Sequence, residues 1–60
     1  MSIWIARNKD GTLEAYHEMP ERKSKSFDSD PRDWIDYIDE FEYPEVTWEN
    51  SPKELIVKED

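Results

Sequence analysis

The sequence predicts a small α+β domain, in which a three-stranded antiparallel sheet packs against one short helix. Three observations lead to this prediction. Residues 2–18 have a hairpin pattern, residues 31–43 have the apolar spacing of a helix, and residues 53–58 form a short apolar segment that can add a strand. Because sixty residues allow one domain at most, we treat residues 1–60 as a single domain.

The first predicted element is the hairpin. In residues 2–7 (SIWIAR), successive side chains alternate between two apolar sets, and residues 12–18 (TLEAYHE) alternate again. A period of two with β-branched and aromatic residues is typical of strands. Residues 8–11 lie between them and predict a turn, because Gly11 readily takes the positive φ that such a turn needs. A hairpin is not stable alone, so another element should cover its apolar face.

Residues 19–30 predict a loop. The segment has no periodicity, contains Pro20 and consists mostly of charged or small residues. Ser24 and Ser26 lie among basic residues, where they could be phosphorylated, but a solvated and unmodified loop is the simpler interpretation.

A helix is predicted over residues 31–43. Asp30 suits the N-cap, and Pro31 suits the first helical position. Carboxylates crowd the C-terminal end of this acidic amphipathic segment, where the helix dipole disfavours anions. The alternative is therefore a mainly β domain with a further strand at residues 34–38. Apolar residues recur at i, i+3, i+4 and i+7, on one helical face: Trp34, Tyr37, Ile38 and Phe41.

The C-terminal segment at 53–58 predicts a last strand, which could pair with the hairpin and complete the sheet. Tyr43 should end the preceding element, because a residue before proline avoids the helical region. The predicted core takes one apolar side chain or more from every element: Ile3, Ile5, Leu13, Ala15, Trp34, Ile38, Phe41, Val46, Trp48 and Ile56.

The charge is strongly negative and unevenly distributed. The chain has a formal charge of −8, with 16 acidic and 8 basic residues, and all of the excess lies in residues 27–60, which have 12 acidic and 3 basic residues. Such a field repels nucleic acid and anionic membranes and attracts basic surfaces. We therefore expect a protein partner with a basic surface, although a solvated acidic face without a partner is the simpler alternative. The acidic face predicted to bind comprises Asp33, Asp36, Asp39, Glu40, Glu42, Glu45 and Glu49.

Aromatic residues predict a second contact patch. Tryptophan and tyrosine are enriched where interfaces concentrate their binding energy, and a sheet this small cannot bury every ring. Trp4 and Trp48 are the candidates for such a patch. The alternative is that the tryptophans form the core itself.

Catalysis is not expected. The chain has no cysteine, His17 is its one histidine, and no serine stands in a recognisable motif. Residues 28–33 resemble the start of a calcium loop but lack its central glycine and its closing glutamate. We therefore expect no enzyme activity, no catalytic residue, no metal site and no cofactor. No apolar run is long enough for a membrane span, so the cytoplasm is the expected location.

Two motifs resemble a known family. Residues 4–13 (WIARNKDGTL) and 44–52 (PEVTWENSP) are similar to those of short, uncharacterised proteins of phages and prophages, frequent in gut bacteria. The resemblance covers about half of the chain. Members usually have Phe at the position of Tyr43, and commonly a strand where the helix is predicted to begin.

The resemblance implies a phage or prophage accessory protein acting in the host cytoplasm. Its motifs indicate no chemistry. Some small acidic proteins of this origin inhibit host defence, so the analogy suggests an inhibitor of host defence or of nucleic-acid-binding machinery that mimics DNA. A structural or self-associating module, such as a homodimer formed through the aromatic residues, is the alternative.

Overall fold

The computed structural model describes residues 2–56, and the fold of this part of the chain is all-β. The sheet of four strands has the order β5-β2-β1-β6 and is antiparallel throughout, while β3 and β4 form a separate two-stranded sheet. In chain order the strands are β1 (Ser2–Arg7), β2 (Leu13–Tyr16), β3 (Glu21–Arg22), β4 (Phe27–Asp28), β5 (Trp34–Ile38) and β6 (Lys53–Ile56).

The predicted hairpin is confirmed. Strands β1 and β2 pair in an antiparallel register that places Ile5 opposite Ala15. Gly11 has a φ of 101° in the connecting turn, a conformation that residues with a side chain rarely adopt. The amide of Asn8 donates to the carbonyl of Thr12 (2.8 Å) and continues the ladder into the turn.

The helix predicted over residues 31–43 is wrong. Residues 34–38 form edge strand β5, which pairs with the outer edge of β2, and residues 2–56 contain no helix. The apolar face expected of that helix is not buried, since Tyr37 is 66% exposed and Phe41 is 83% exposed. Strand β5 satisfies backbone groups that β2 would otherwise leave open at its edge. The sequence allowed this strand as its alternative.

A β-bulge shapes the pairing of β5 with β2. Ala15 lies opposite Asp36, but Tyr16 lies opposite Trp34, so β5 has one residue more than β2 between these pairs. In a regular strand, residues 34 and 37 would point to opposite faces. The bulge instead brings Trp34 and Tyr37 together, with ring centroids 5.3 Å apart in an edge-to-face arrangement.

The predicted last strand is confirmed over Lys53–Ile56, where β6 pairs with β1; residues 57–58 of that prediction lie outside the described residues. The sheet has four strands instead of three because β5 joins it. Just before β6 begins, the hydroxyl of Ser51 accepts from the backbone amide of Arg7 (2.9 Å). Ser51 thus takes the place of a strand carbonyl beside the cis bond to Pro52.

Hydrophobic clusters cover both faces of the four-stranded sheet. On one face, Val46 from the long connection between β5 and β6 packs on Ile5, Leu13 and Ala15. The other face is covered by the β3–β4 hairpin, which occupies part of the predicted loop at 19–30. Its cluster comprises Ala6, Tyr16 and Phe27, with Trp4 and Trp48 packed against it.

The predicted core is correct in part. Ile5, Leu13, Ala15 and Val46 are buried, and Ile38 packs against them, whereas Trp34, Phe41 and Ile56 are exposed. The prediction assumed a sheet covered on one face by a helix. It therefore missed the buried members of the second cluster, Ala6, Tyr16 and Phe27, although the predicted core residue Trp48 packs against them.

Candidate partner-binding surface and acidic cleft

The predicted acidic residues do not share one helical face. They lie along the edge of the sheet and the connection that follows it, and all except the partly buried Asp33 are exposed. Asp33 precedes β5 and Asp36 lies within it. Asp39, Glu40, Glu42, Glu45 and Glu49 lie in the connection from β5 to β6.

These carboxylates are not neutralised by ion pairs within the described part of the chain. Over residues 2–56 the ion pairs are Lys23–Glu21 at 3.4 Å and Arg32–Asp30 at 3.1 Å, both at the surface. Asp36 and Asp39 accept backbone amides instead, from Tyr37 (2.7 Å) and Phe41 (2.9 Å) respectively. The acidic surface therefore keeps its negative charge.

Arg7 holds the backbone of this acidic connection in place. Its guanidinium donates to the carbonyls of Val46 at 2.5 Å and Glu40 at 3.0 Å. It also reaches the carbonyls of Glu42 and Tyr43, both at 3.2 Å, and of Gly11 at 2.7 Å. Arg7 binds the main-chain oxygens of Glu40 and Glu42 and not their carboxylates, and both residues are exposed.

Sequence reasoning assigned Arg7 no role, although it belongs to the WIAR motif that carries the family resemblance. The connection that it organises also contains a non-glycine residue with positive φ, Tyr43 at 51°. Such a conformation is unfavourable for a bulky residue. It is supported here by the bond from the amide of Val46 to the carbonyl of Tyr43 (2.9 Å) and by the Arg7 contact.

The predicted aromatic patch, Trp4 and Trp48, lies largely within the second cluster. The ring of Trp48 meets Phe27 edge-to-face at 5.4 Å, and the guanidinium of Arg22 stacks 4.1 Å from the Trp48 ring. Arg22 also donates to the Trp48 carbonyl (2.6 Å). These rings are therefore engaged in contacts within the protein.

A different group of large apolar residues is exposed, and three of the four are aromatic. Trp34, Ile35 and Tyr37 on β5 are 37%, 37% and 66% exposed, and Phe41 follows in the next turn at 83%. They lie on the same stretch of chain as Asp36 and the acidic turn. We call this stretch, residues 34–42, the edge surface. The helical spacing included Trp34, Tyr37 and Phe41, and the predicted core wrongly included Trp34 and Phe41.

Beside the edge surface lies a cleft of about 280 Å³. One carboxylate of the cleft belongs to Glu14. Its Oε1 accepts a hydrogen bond from the indole N–H of Trp34 (3.0 Å), and its Oε2 accepts one from the side-chain amide of Asn8 (2.6 Å). Three rings, two carboxylates and two small residues line the cleft: Tyr16, Phe27, Trp34, Glu14, Asp28, Ser29 and Pro31.

The surroundings of the cleft change the pKa of the Tyr16 hydroxyl. Burial, followed by the charge and hydrogen bonding of Glu14 and then by the charge of Asp28, raises the pKa of Tyr16 to about 12. Desolvation and neighbouring negative charge both disfavour the phenolate. Glu14 and Asp28, the two carboxylates that line the cleft, are the negative charges in it.

Asn8 connects the cleft to the rest of the fold. It is a buried polar residue, and its amide nitrogen donates to Glu14 and to the hydroxyl of Thr12 (2.8 Å). Its oxygen accepts the amide of Phe27 (3.0 Å). One side chain therefore links the β1–β2 turn, β2 and β4, and fixes the carboxylate of Glu14.

No protein-family model, curated protein or solved structure matches this chain. Within residues 2–56, no three side chains are grouped as metal ligands, and no helix of that part is long and apolar enough to cross a bilayer. The interpretation of the surface therefore depends on its own geometry.

Proposed function

We propose that this protein is a non-enzymatic binding protein that docks on a basic surface of a partner protein. The docking surface consists of the edge surface and the acidic residues that continue from it, Glu45 and Glu49. Its carboxylates supply attraction and orientation, and its exposed rings supply the apolar contact. Charged residues mainly steer association and select partners, whereas aromatic anchors contribute most of the affinity.

The observation that carries this proposal is the coincidence of free carboxylates with exposed aromatic rings. Asp36, Asp39 and Glu40 have no ion pair within residues 2–56. Tyr37 lies between Asp36 and Asp39, Phe41 directly follows Glu40, and both rings have most of their surface exposed. A purely solubilising face needs no exposed aromatic residues. Large exposed apolar groups rimmed by charge are typical of interaction sites.

The biological setting follows from the resemblance to phage and prophage proteins. In that setting the partner is a host protein with a basic surface, and the proposed role is inhibition of host defence or of nucleic-acid-binding machinery in the host cytoplasm. A DNA mimic would occupy the basic groove that such a protein offers to phosphates. In this protein the mimicking charges lie on a strand edge and its following loop instead of a helix.

The first test is capture of partners from host lysate by the tagged protein, eluted at low and then high salt. Screening weakens exposed charge pairs as ionic strength rises, so a basic partner should be released by salt. The test variant reverses three charges of the surface: Asp36→Lys, Asp39→Lys and Glu40→Lys. Its matched control reverses three exposed acids elsewhere, Glu18→Lys, Glu21→Lys and Glu54→Lys, and has the same net charge.

The affinity for the purified partner should fall by about tenfold or more in the test variant, because three steering charges change sign. The affinity of the control variant should stay closer to that of the original protein. Both variants should have the same circular dichroism spectrum as the original protein. Equal losses in the two variants would show that net charge, and not this surface, determines binding. Recovery of the protein alone would reject the proposal for that host.

Self-association is the second candidate, favoured by the open edges of the sheet. β5 and β6 are both edge strands, and Ile56 is 79% exposed on the second of them. Unpaired edges can join copies of the same chain. This candidate predicts a mass that rises with concentration in sedimentation and little response to the three charge reversals.

A further inference from the structure

The cleft beside β5 has the composition of a receptor for an organic cation. Trp34, Tyr16 and Phe27 are among the residues that line it, and Trp34 is the most exposed of the three. The carboxylates of Glu14 and Asp28 lie in the same cleft. Aromatic faces attract cations through their quadrupole, and carboxylates add direct charge pairing.

No cation of the described chain fills this role. The ion pairs of residues 2–56 involve Lys23 and Arg32, and neither reaches Glu14 or Asp28. Arg22 stacks on Trp48 and Phe27 and donates to main-chain carbonyls. Glu14 accepts hydrogen bonds from the indole of Trp34 and the side-chain amide of Asn8, and it also hydrogen-bonds with Tyr16. These neutral groups orient the carboxylate but bring no positive charge to it.

We propose that this cleft receives an arginine side chain of the basic partner. The inference rests on the proposed function and names the chemical group that the partner supplies. In this arrangement the guanidinium lies against the ring of Trp34 and donates hydrogen bonds to Asp28. The second carboxylate of the cleft, Glu14, adds negative charge. The cleft adjoins the edge surface through Trp34, so one partner could occupy both.

Arginine suits this cleft better than the other cations of proteins. Its planar guanidinium stacks on aromatic rings and pairs with carboxylates at its edge, and it is more weakly hydrated than an ammonium. Lysine offers a compact, strongly hydrated charge that gains less from flat walls. The two carboxylates exclude an anionic ligand by like-charge repulsion.

The experiment titrates the 15N-labelled protein with N-acetyl-arginine amide and follows amide and indole signals by NMR. N-acetyl-citrulline amide is the matched neutral probe, since it keeps the shape but lacks the charge. N-acetyl-lysine amide tests the preference for a guanidinium. We expect saturable shifts at the Trp34 indole, Asp28 and Ser29 with the arginine probe, weaker binding of the lysine probe, and none with citrulline.

Two variants separate the cleft from the general acidic field. Asp28→Asn removes an exposed carboxylate of the cleft, and Asp39→Asn removes an exposed carboxylate outside it. Since one charge-assisted contact to the probe is lost only in the former, we expect Asp28→Asn to weaken arginine binding by about threefold to tenfold. Asp39→Asn should change it by less than about twofold, as expected of a screened distant charge.

Absence of saturable shifts, or equal effects of the two variants, would overturn the cleft proposal. Preference for the lysine probe would overturn the assignment to arginine. None of these results would contradict the docking proposal, because that proposal is tested by charge reversal on the edge surface with Asp28 intact. Conversely, saturable arginine binding without salt-sensitive capture of any partner would reject docking while retaining the cleft.

Discussion

The guanidinium of Arg7 donates its Nε proton to the carbonyl of Val46, 39 residues further along the chain, at 2.5 Å. This bond joins the last residue of β1 to the connection that carries most of the acidic surface. Val46 is itself buried against Ile5 and Leu13. Packing and hydrogen bonding therefore hold the same short segment, and with it the backbone of the exposed acidic residues next to Val46 in the chain.

Replacement of Arg7 by lysine should destabilise the protein. An ammonium cannot reproduce the fork that reaches the carbonyls of Val46, Glu40 and Tyr43. Since hydrogen bonds to a charged donor contribute more than neutral ones, we expect a loss of about 2 kcal/mol in the free energy of unfolding. Denaturant titration followed by tryptophan fluorescence measures it. The control Arg32→Lys, at an exposed ion pair, should leave the free energy of unfolding nearly unchanged.

Replacement of Asn8 by aspartate should be more damaging than its small change in shape suggests. The amide nitrogen that donates to Glu14 at 2.6 Å would become an oxygen facing a carboxylate. Repulsion between two partly buried carboxylates and the lost donor should lower the free energy of unfolding by about 2–4 kcal/mol at neutral pH. The same substitution at exposed Asn50 is the control. Equal costs at the two positions, in parallel denaturant titrations, would contradict the role assigned to Asn8.

Stability should decline at alkaline pH through Tyr16. The pKa of Tyr16 is raised from 10.0 to about 12 by burial and by the neighbouring carboxylates. The folded state thus holds the phenolic proton more tightly than the unfolded chain does. This contribution to stability is complete below pH 10 and is lost as the pH rises through 12. Unfolding measurements from pH 9 upward should show a smaller decline for Tyr16→Phe, and an identical decline would exclude Tyr16 as its source.

Phe41 and Val46 should respond in opposite ways to truncation. Phe41 is 83% exposed and Val46 is 1% exposed. We expect Phe41→Ala to change the free energy of unfolding by less than about 0.5 kcal/mol, and Val46→Ala to lower it by about 1.5–3 kcal/mol. The proposed docking adds that Phe41→Ala weakens partner binding in a protein that is still folded. A large loss of stability in Phe41→Ala would place its ring in the core, as the helix prediction had it.

Strand β5 is the element that the sequence pattern predicted wrongly, as part of a helix. Trp34, Tyr37, Ile38 and Phe41 have helical spacing, and that spacing is a local property. Whether it produces a helix depends on what the neighbouring elements offer. Here β2 offers an open edge, and pairing with it through a bulge satisfies backbone groups that a separate helix would leave unpaired on β2.

The cleft could not have been predicted from the sequence, because its parts are far apart in the chain. Glu14 meets Trp34 across a separation of 20 residues, and Phe27 joins them through the bond of its amide to Asn8. No periodicity links these positions. The charge of residues 27–60, in contrast, was evident from composition, since charges on so short a chain mostly stay at its surface.

Three features could be predicted from local patterns along the chain: the β1–β2 hairpin with its turn at Gly11, the last strand, found at Lys53–Ile56, and the acidic character of the C-terminal half. Each of these depends on neighbouring residues, whose alternation, backbone freedom or charge is apparent along the chain. The tertiary structure alone decided that residues 34–38 form an edge strand, that Arg7 holds the acidic connection and that Glu14 and Trp34 share a cleft. These features depend on long-range pairing, where competing partners for the same backbone and side-chain groups are resolved only when the whole sheet assembles.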